Sequence, residues 1–155
     1  MTKHIGMSGI RTVISHKRDE ILNVLPEDVI NKAFAADEEL IIAKEAQIFI
    51  KQNIDGAMHD ASEGGIFAAL WDMAEYSGTG LDIDLRHISV KQEIIEICEL
   101  FNINPYILDS MGCLLMTCEN GCDIVNTMKQ NGIEAAVIGK ITDGNNRIIH
   151  NTCLL

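Results

Sequence analysis

The segment His59-Asp60-Ala61-Ser62-Glu63-Gly64-Gly65 constrains this fold more than any other. It follows an apolar run, Gly56-Ala57-Met58, and precedes a run from Ile66 to Tyr76 rich in Ala, Leu, Met and Trp. The first run reads as a buried strand. The second reads as a helix from about Gly64 to Tyr76, stopped by Ser77-Gly78. Strand, polar turn and helix in that order leave backbone N–H groups free at the helix N-terminus, where an anion or an acidic metal site can form.

Asp60 leaves the strand end with a carboxylate suited to Mg²⁺ or to orienting a substrate amide, and Ser62 is a residue type that caps helices. Gly64 and Gly65 let a ligand approach the backbone closely near the positive end of the helix dipole. Glu63 adds a second carboxylate, which would repel a bare phosphate unless a cation intervened. The same residues also have an architectural reading, with Asp60 and Ser62 as caps and the glycines permitting tight strand–helix packing. Local chemistry leaves both readings open. His59 reads as a packed or hydrogen-bonded residue rather than a base, and Trp71 and Met73 as core. Asp82 and Asp84, two apart, share one strand face and read as solvated.

The rest of the chain alternates helix and strand. Met1 to Gly6 resembles the tail of a strand, and Ser8 caps a helix through Ile10, Val13, Ile14 and Ile21. Helices are expected from Pro26 to Phe34 and, after a break at Ala35-Ala36-Asp37, from Glu38 to Asn53. Gly80 to Leu85 alternates as a half-buried strand, and a helix runs through Ile94, Ile97, Cys98 and Phe101. Asn104-Pro105 starts a turn, and Gly112 to Thr117 is a continuous apolar strand covered on both faces. Asn120-Gly121 precedes a helix through Ile124, Val125 and Met128, stopped by Asn131-Gly132, and a strand from Glu134 to Ile141 follows. The turn Asp143 to Asn146 then returns Arg147 to His150 as a hairpin strand. The expected architecture is α/β (α+β): one layered domain over residues 1–155, with a mixed, partly antiparallel sheet covered by helices.

A formal charge of −11 argues against nucleic-acid binding and against an anionic membrane surface. No apolar run reaches the roughly 20 residues of a membrane helix and no signal-peptide pattern is present, so a cytoplasmic location is expected. The five cysteines form no CxxC pair and read as reduced. Cys118 and Cys122 lack companions at a zinc spacing.

The run from Met58 to Leu85, opening His-Asp-x-Ser-Glu-Gly-Gly and closing Ser-Gly-x-Gly-Leu-Asp-Ile-Asp-Leu, resembles the C-terminal domain of the aminoimidazole ribonucleotide (AIR) synthetase superfamily. Later pieces fit in order: Ile97 to Pro105, the Gly112–Thr117 strand and Ala136 to Ile141. Glu96 to Pro105 looks most like the hydrogenase-maturation dehydratase branch. The Asp-Ala-Ser-Glu-Gly-Gly turn is also close to formylglycinamidine ribonucleotide synthetase. Maturation dehydratases carry an arginine in this turn and end in a modified cysteine. Here Glu63 stands in the turn, and Leu154 and Leu155 follow Cys153.

The resemblance implies an ATP-dependent enzyme that phosphorylates an amide- or thioamide-type oxygen before elimination or displacement. It implies catalytic roles for Asp60 and Glu63, and substrate or phosphate contacts for His59, Ser62, Gly64 and Gly65, with Asp60 a possible Mg ligand. ATP and Mg are expected mainly through the family's N-terminal ATP-binding domain, which this sequence lacks, so the domain alone is expected to be inactive. The implied partners are that domain, a small-molecule or modified-protein acceptor, and a second copy in a full-length homodimer. A non-catalytic binding or assembly module of the same fold, and a purine-biosynthesis domain, are the alternatives.

Overall fold

A computed structural model describes residues 1–34 and 36–151. Ala35, within the expected break, and Cys153 lie outside the described residues. The helices are α1 (Met7–Leu22), α2 (Glu27–Ala33), α3 (Ala43–Lys51), α4 (Gly65–Ser77), α5 (Gln92–Leu100) and α6 (Gly121–Gln130). The strands are β1 (Gly56–Asp60), β2 (Gly80–Asp84), β3 (Leu114–Cys118), β4 (Gly139–Thr142) and β5 (Arg147–His150). Strands β1 and β3 form an antiparallel pair, and β4-β2-β5 form a mixed sheet. The layered α/β expectation therefore holds, with the strands divided between two sheets.

Three apolar clusters hold these layers together. Ile66, Ala69, Leu70 and Met73 of α4 pack on Leu81 and Ile83 of β2 and on Leu115 of β3. Ile10, Ile14 and Ile21 of α1 meet Ile30 of α2 and Ile94 and Ile97 of α5. Phe49 of α3 packs with Ile124 and Met128 of α6. The residues of α4, α5 and α6 recur at three- or four-residue spacing, and those of α1 at four and seven, so one stripe of each of these helices faces inward.

Several expectations are corrected. The start of the chain is a single bridge, Thr2 to Ala135, rather than a strand. Helix α1 begins after Gly6, at φ +74°, without a side-chain cap; the Ser8 hydroxyl instead accepts from the Met111 N–H. The expected helix from Glu38 to Asn53 is split into a 3₁₀ turn, Asp37–Leu40, and α3. Lys3 gives the reason. Its ammonium donates to the carbonyls of Glu39 (2.9 Å) and Ile41 (2.8 Å) and pairs with the buried Glu45 carboxylate at 2.7 Å. Those carbonyls thus have a partner outside the helix, and Ile41 takes an extended conformation. The run Gly56-Ala57-Met58 is exposed rather than buried, because β1 pairs with β3 alone and lies at a sheet edge.

The Arg147–His150 strand turns back as expected, but not onto β4. It pairs parallel with β2, which lies between the two arms. The connection over residues 143–146 crosses the start of β2 at Gly80, where a Cβ would lie 2.5 Å from both the Asn146 carbonyl and the Thr142 hydroxyl. The expected strand from Glu134 narrows to Gly139–Thr142, with Ala135 opposite Thr2 in the bridge, where Lys3 donates to the Glu134 carbonyl and Ala136 to that of Met1. Trp71 is half exposed rather than core, on the outward side of α4 where the Arg147 guanidinium stacks 4.0 Å above its ring. Met73 is core as expected.

Candidate functional site

The turn between β1 and α4 rests on the loop that leads into β3. Ala61 is fully buried, and its N–H donates to the Cys113 carbonyl, extending the β1–β3 ladder by one residue. The Ser110 N–H donates to the carbonyls of both Ala61 and Ser62, at 3.1 Å each. Ser110 is itself fully buried; its hydroxyl accepts from the Gly6 N–H and donates to the Leu108 carbonyl. One serine therefore fixes the turn, the loop and the start of α1 together.

Asp60 stands half-buried at the strand end. The Ser62 hydroxyl donates to its Oδ2 at 2.8 Å, while its Oδ1 is buried and has no hydrogen-bond partner among the described residues. Ser62 thus holds the carboxylate instead of capping the helix, whose N-cap is Gly64 with no side-chain cap bond. A buried carboxylate oxygen without a partner is costly, and a cation or an N–H donor would offset that cost. The Nδ1 of His59 donates to the Asp60 carbonyl at 2.7 Å, which leaves Nε2 as the accepting nitrogen of the neutral ring. Glu63 is exposed.

Gly64 and Gly65 both take left-handed backbone, at φ +75° and +69°. The Gly64 N–H donates to the Asp109 carboxylate at 3.3 Å, so an acidic group already lies at the helix N-terminus. At Gly65 a Cβ would fall 2.5 Å from the Tyr106 carbonyl and 2.6 Å from that of Leu108. The missing side chain therefore admits the 3₁₀ turn at Pro105–Ile107. Phe67, two residues on, stacks on Tyr106 at 5.2 Å and 10°, a contact worth about 1 kcal/mol beyond its area.

Beneath the turn, burial pushes the Cys113 thiol up to about 12, so it is an inert core group rather than a nucleophile. The structure brings His59, Asp60, Ser62, Glu63, Gly64 and Gly65 into one turn, as their adjacency requires, and sets Asp109 and Ser110 against it. Those two residues are 44 or more positions away, and sequence reasoning missed them. Their signal was the Asp-Ser-Met-Gly turn chemistry just before an apolar strand. Asp82 and Asp84 lie apart: Asp82 accepts from His150 at 2.7 Å, and Asp84 pairs with Arg86. Among the described residues no three His, Cys, Asp or Glu side chains are grouped for a metal, and no helix is long and apolar enough to cross a membrane.

The family model described as AIR synthase related protein, C-terminal domain, matches residues 2–151. The chain belongs to this family. This AIR synthase-related domain is 26% identical over 155 residues to a putative hydrogenase expression/formation protein of Methanocaldococcus jannaschii, covering 96% of the chain and 43% of the relative. It is 31% identical over 96 residues to the carbamoyl dehydratase HypE of Rhizobium leguminosarum, covering 59% of the chain and 27% of that protein. A phosphoribosylformylglycinamidine synthase subunit, PurL of Campylobacter curvus, is 24% identical over 143 residues, 89% of the chain and 18% of the subunit.

Among solved structures, the HypE–HypF complex matches with a TM-score of 0.67 at 20% identity, over 95% of this chain and 47% of that one. The HypE of E. coli matches at 0.66 and 20%, over 74% and 38%. A HypE in complex with ATP matches at 0.50 and 17%, over 56% and 27%. At these identities the structural likeness establishes the fold. The AIR synthase-related domain spans less than half the length of the curated relatives named here.

Proposed function

We propose that this domain supplies one wall of an ATP-dependent phosphoryl-transfer cleft of the hydrogenase-maturation type. In that chemistry ATP phosphorylates an amide- or thioamide-type oxygen, and the phosphate is then eliminated or displaced. The observation that carries the reading is the Asp60 carboxylate, held by Ser62 through one oxygen and buried without a partner at the other. The similarity to HypE proteins, one of them solved with ATP, supports it.

An amide that becomes more nucleophilic at oxygen must release its N–H proton. In this reading the free oxygen of Asp60 accepts that N–H and orients the acceptor. Ser62 keeps the carboxylate in one rotamer, and His59 offers Nε2 as a hydrogen-bonding contact to the substrate. The wall bears Asp60, Glu63 and Asp109, so a triphosphate approaches it only with a cation between. Magnesium fits this setting in part, because it binds through one or two carboxylates, substrate phosphates and waters rather than a closed protein cage. Asp60 would hold it, and bound Mg–ATP would supply the phosphoryl group. Most of the nucleotide contacts then belong to a companion N-terminal ATP-binding domain.

Titration of the isolated chain with ATP–Mg in a calorimeter tests this division. The expected dissociation constant is weaker than about 1 mM, roughly −4 kcal/mol. Micromolar binding that depends on Asp60 would overturn the division and place the nucleotide site within this domain. The PurL similarity favours a second acceptor class, a formylglycinamide-type amide, with Asp60 in the same role.

A further inference from the structure

The His4 ring lies between a hydroxyl and a carboxylate. Its Nδ1 is 2.7 Å from the Ser89 Oγ, and its Nε2 is 3.2 Å from the Glu134 carboxylate. In the neutral ring one tautomer serves both contacts: Nε2 carries the proton and donates to Glu134, while Nδ1 accepts from the Ser89 hydroxyl. Backbone bonds on either side of His4 preset this geometry. The Lys3 N–H donates to the Glu134 carbonyl at 2.9 Å, and the Ile5 N–H donates to the Ser89 carbonyl at 3.0 Å. Each neighbour of His4 is thus tied to one of the two residues its ring meets. Lys3 takes left-handed backbone at φ +51°, and its ammonium is fixed by the buried Glu45 carboxylate at 2.7 Å. Ile5 and Ile88 are buried and anchor the other side.

Four charged groups act on the ring. Burial lowers the His4 pKa from 6.5 and the Lys91 ammonium acts in the same direction, while the carboxylates of Glu134 and Glu39 oppose them. The net lowering leaves the imidazole neutral at pH 7, in the form that accepts a proton. Ser89 and Glu134 both line a pocket of about 470 Å³, a size that admits a small ligand. The Thr2–Ala135 bridge is antiparallel, so Lys3 and Glu134 bound the end of this pocket near Ser89, and Met1 and Ala136 bound the far end. Among the described residues the Val90 and Lys91 N–H groups, which follow Ser89 and lead into α5, donate no hydrogen bond.

We propose that Ser89, His4 and Glu134 form an acyl-transfer site for small carboxylic esters, with Ser89 the nucleophile, His4 its base and Glu134 a positioning residue. The Ser89 Oγ attacks the ester carbonyl carbon while its proton passes to Nδ1 of His4. The carbonyl oxygen becomes an oxyanion, for which the Val90 and Lys91 N–H groups are the available donors; the N–H after a nucleophilic serine is a recurrent member of such holes. The bond from carbonyl carbon to leaving oxygen then breaks, and that oxygen takes the proton from His4, leaving an acyl ester on Ser89. Water, deprotonated by the same nitrogen, attacks the ester, releases the carboxylic acid and restores the hydroxyl. The two ring nitrogens exchange the places they hold in the Ser-His-Asp triad, but the roles follow from geometry and are preserved. Glu134 is 74% exposed, so it orients the ring more weakly than a buried carboxylate would.

Reaction of the 155-residue chain with p-nitrophenyl acetate tests the site, read as the p-nitrophenol burst and as the position of the acetyl group by peptide mass mapping. The acetyl group is expected on Ser89, at a rate that rises with pH through a midpoint below 6.5 and levels above it. His4→Gln should slow acetylation of Ser89 at least about 100-fold, the scale of a lost general base. Glu134→Gln changes an exposed side chain and carries the test independently of folding at His4. Because the carboxylate raises the His4 pKa, its loss should move the midpoint of the pH profile down. Acetyl groups on Cys122 or on lysines with none on Ser89 would overturn the proposal, as would an unchanged Ser89 rate in a folded His4→Gln variant. An unshifted pH midpoint in Glu134→Gln would overturn the three-residue relay.

Discussion

Gly65 and Gly78 share a left-handed backbone, at φ +69° and +62°, yet differ in what surrounds them. A Cβ on Gly65 meets two carbonyl oxygens within 2.6 Å, whereas nothing lies within 4 Å of one on Gly78. Gly78→Ala is expected to cost about 1 kcal/mol from backbone strain alone. Gly65→Ala should cost more than about 2 kcal/mol, because the 105–108 backbone must also move. Urea denaturation of the two variants separates the effects, and equal losses would mean that the close approach at Gly65 contributes nothing. His4 gives a pH signature. Burial lowers its pKa from 6.5, outweighing the Glu134 carboxylate 3.2 Å away, which acts in the opposite direction. As pH falls through 6.5 the unfolded chain takes up this proton before the folded one does, so stability is fullest above that pH and declines below it. His4→Gln is expected to flatten the change in urea midpoint between pH 7.5 and 5.5; an unchanged slope would remove His4 as its source.

At the scale of elements, α4 shows what the sequence reveals and what it hides. Its boundaries were legible because Gly64 and Gly78 flank an uninterrupted helix-forming run. The outward position of Trp71 was not, because the partner that covers it, Arg147, arrives from β5. Trp71→Ala should therefore cost no more than about 1 kcal/mol, the scale of an exposed cation–π contact. A core tryptophan would lose about 3–5 kcal/mol, and a thermal or urea melt distinguishes the two. The same lesson holds elsewhere. The break after Leu40 depends on Lys3, and the strand order β4-β2-β5 depends on the space left by Gly80. Within the site, the contiguous turn from His59 to Gly65 was readable as one unit. The Ser110 clamp and the Asp109 carboxylate were not, because sequence spacing carries no information about contacts 45 residues apart.

At the scale of the whole molecule, the proposed cleft is shared between two domains. The family match and the HypE-like fold place this chain among proteins more than twice its matched length. In the proposed cleft the acidic turn, one carboxylate oxygen unpartnered, meets a nucleotide-bearing surface supplied by the companion domain. The direct measurement is ATP hydrolysis by this domain mixed with the N-terminal half of its Methanocaldococcus jannaschii relative. Turnover is expected only when both are present. Asp60→Asn is expected to lower kcat at least about 100-fold, the scale of a lost positioned proton acceptor, without lowering the melting temperature of the domain. Full-rate turnover by Asp60→Asn, or by either half alone, would contradict the account.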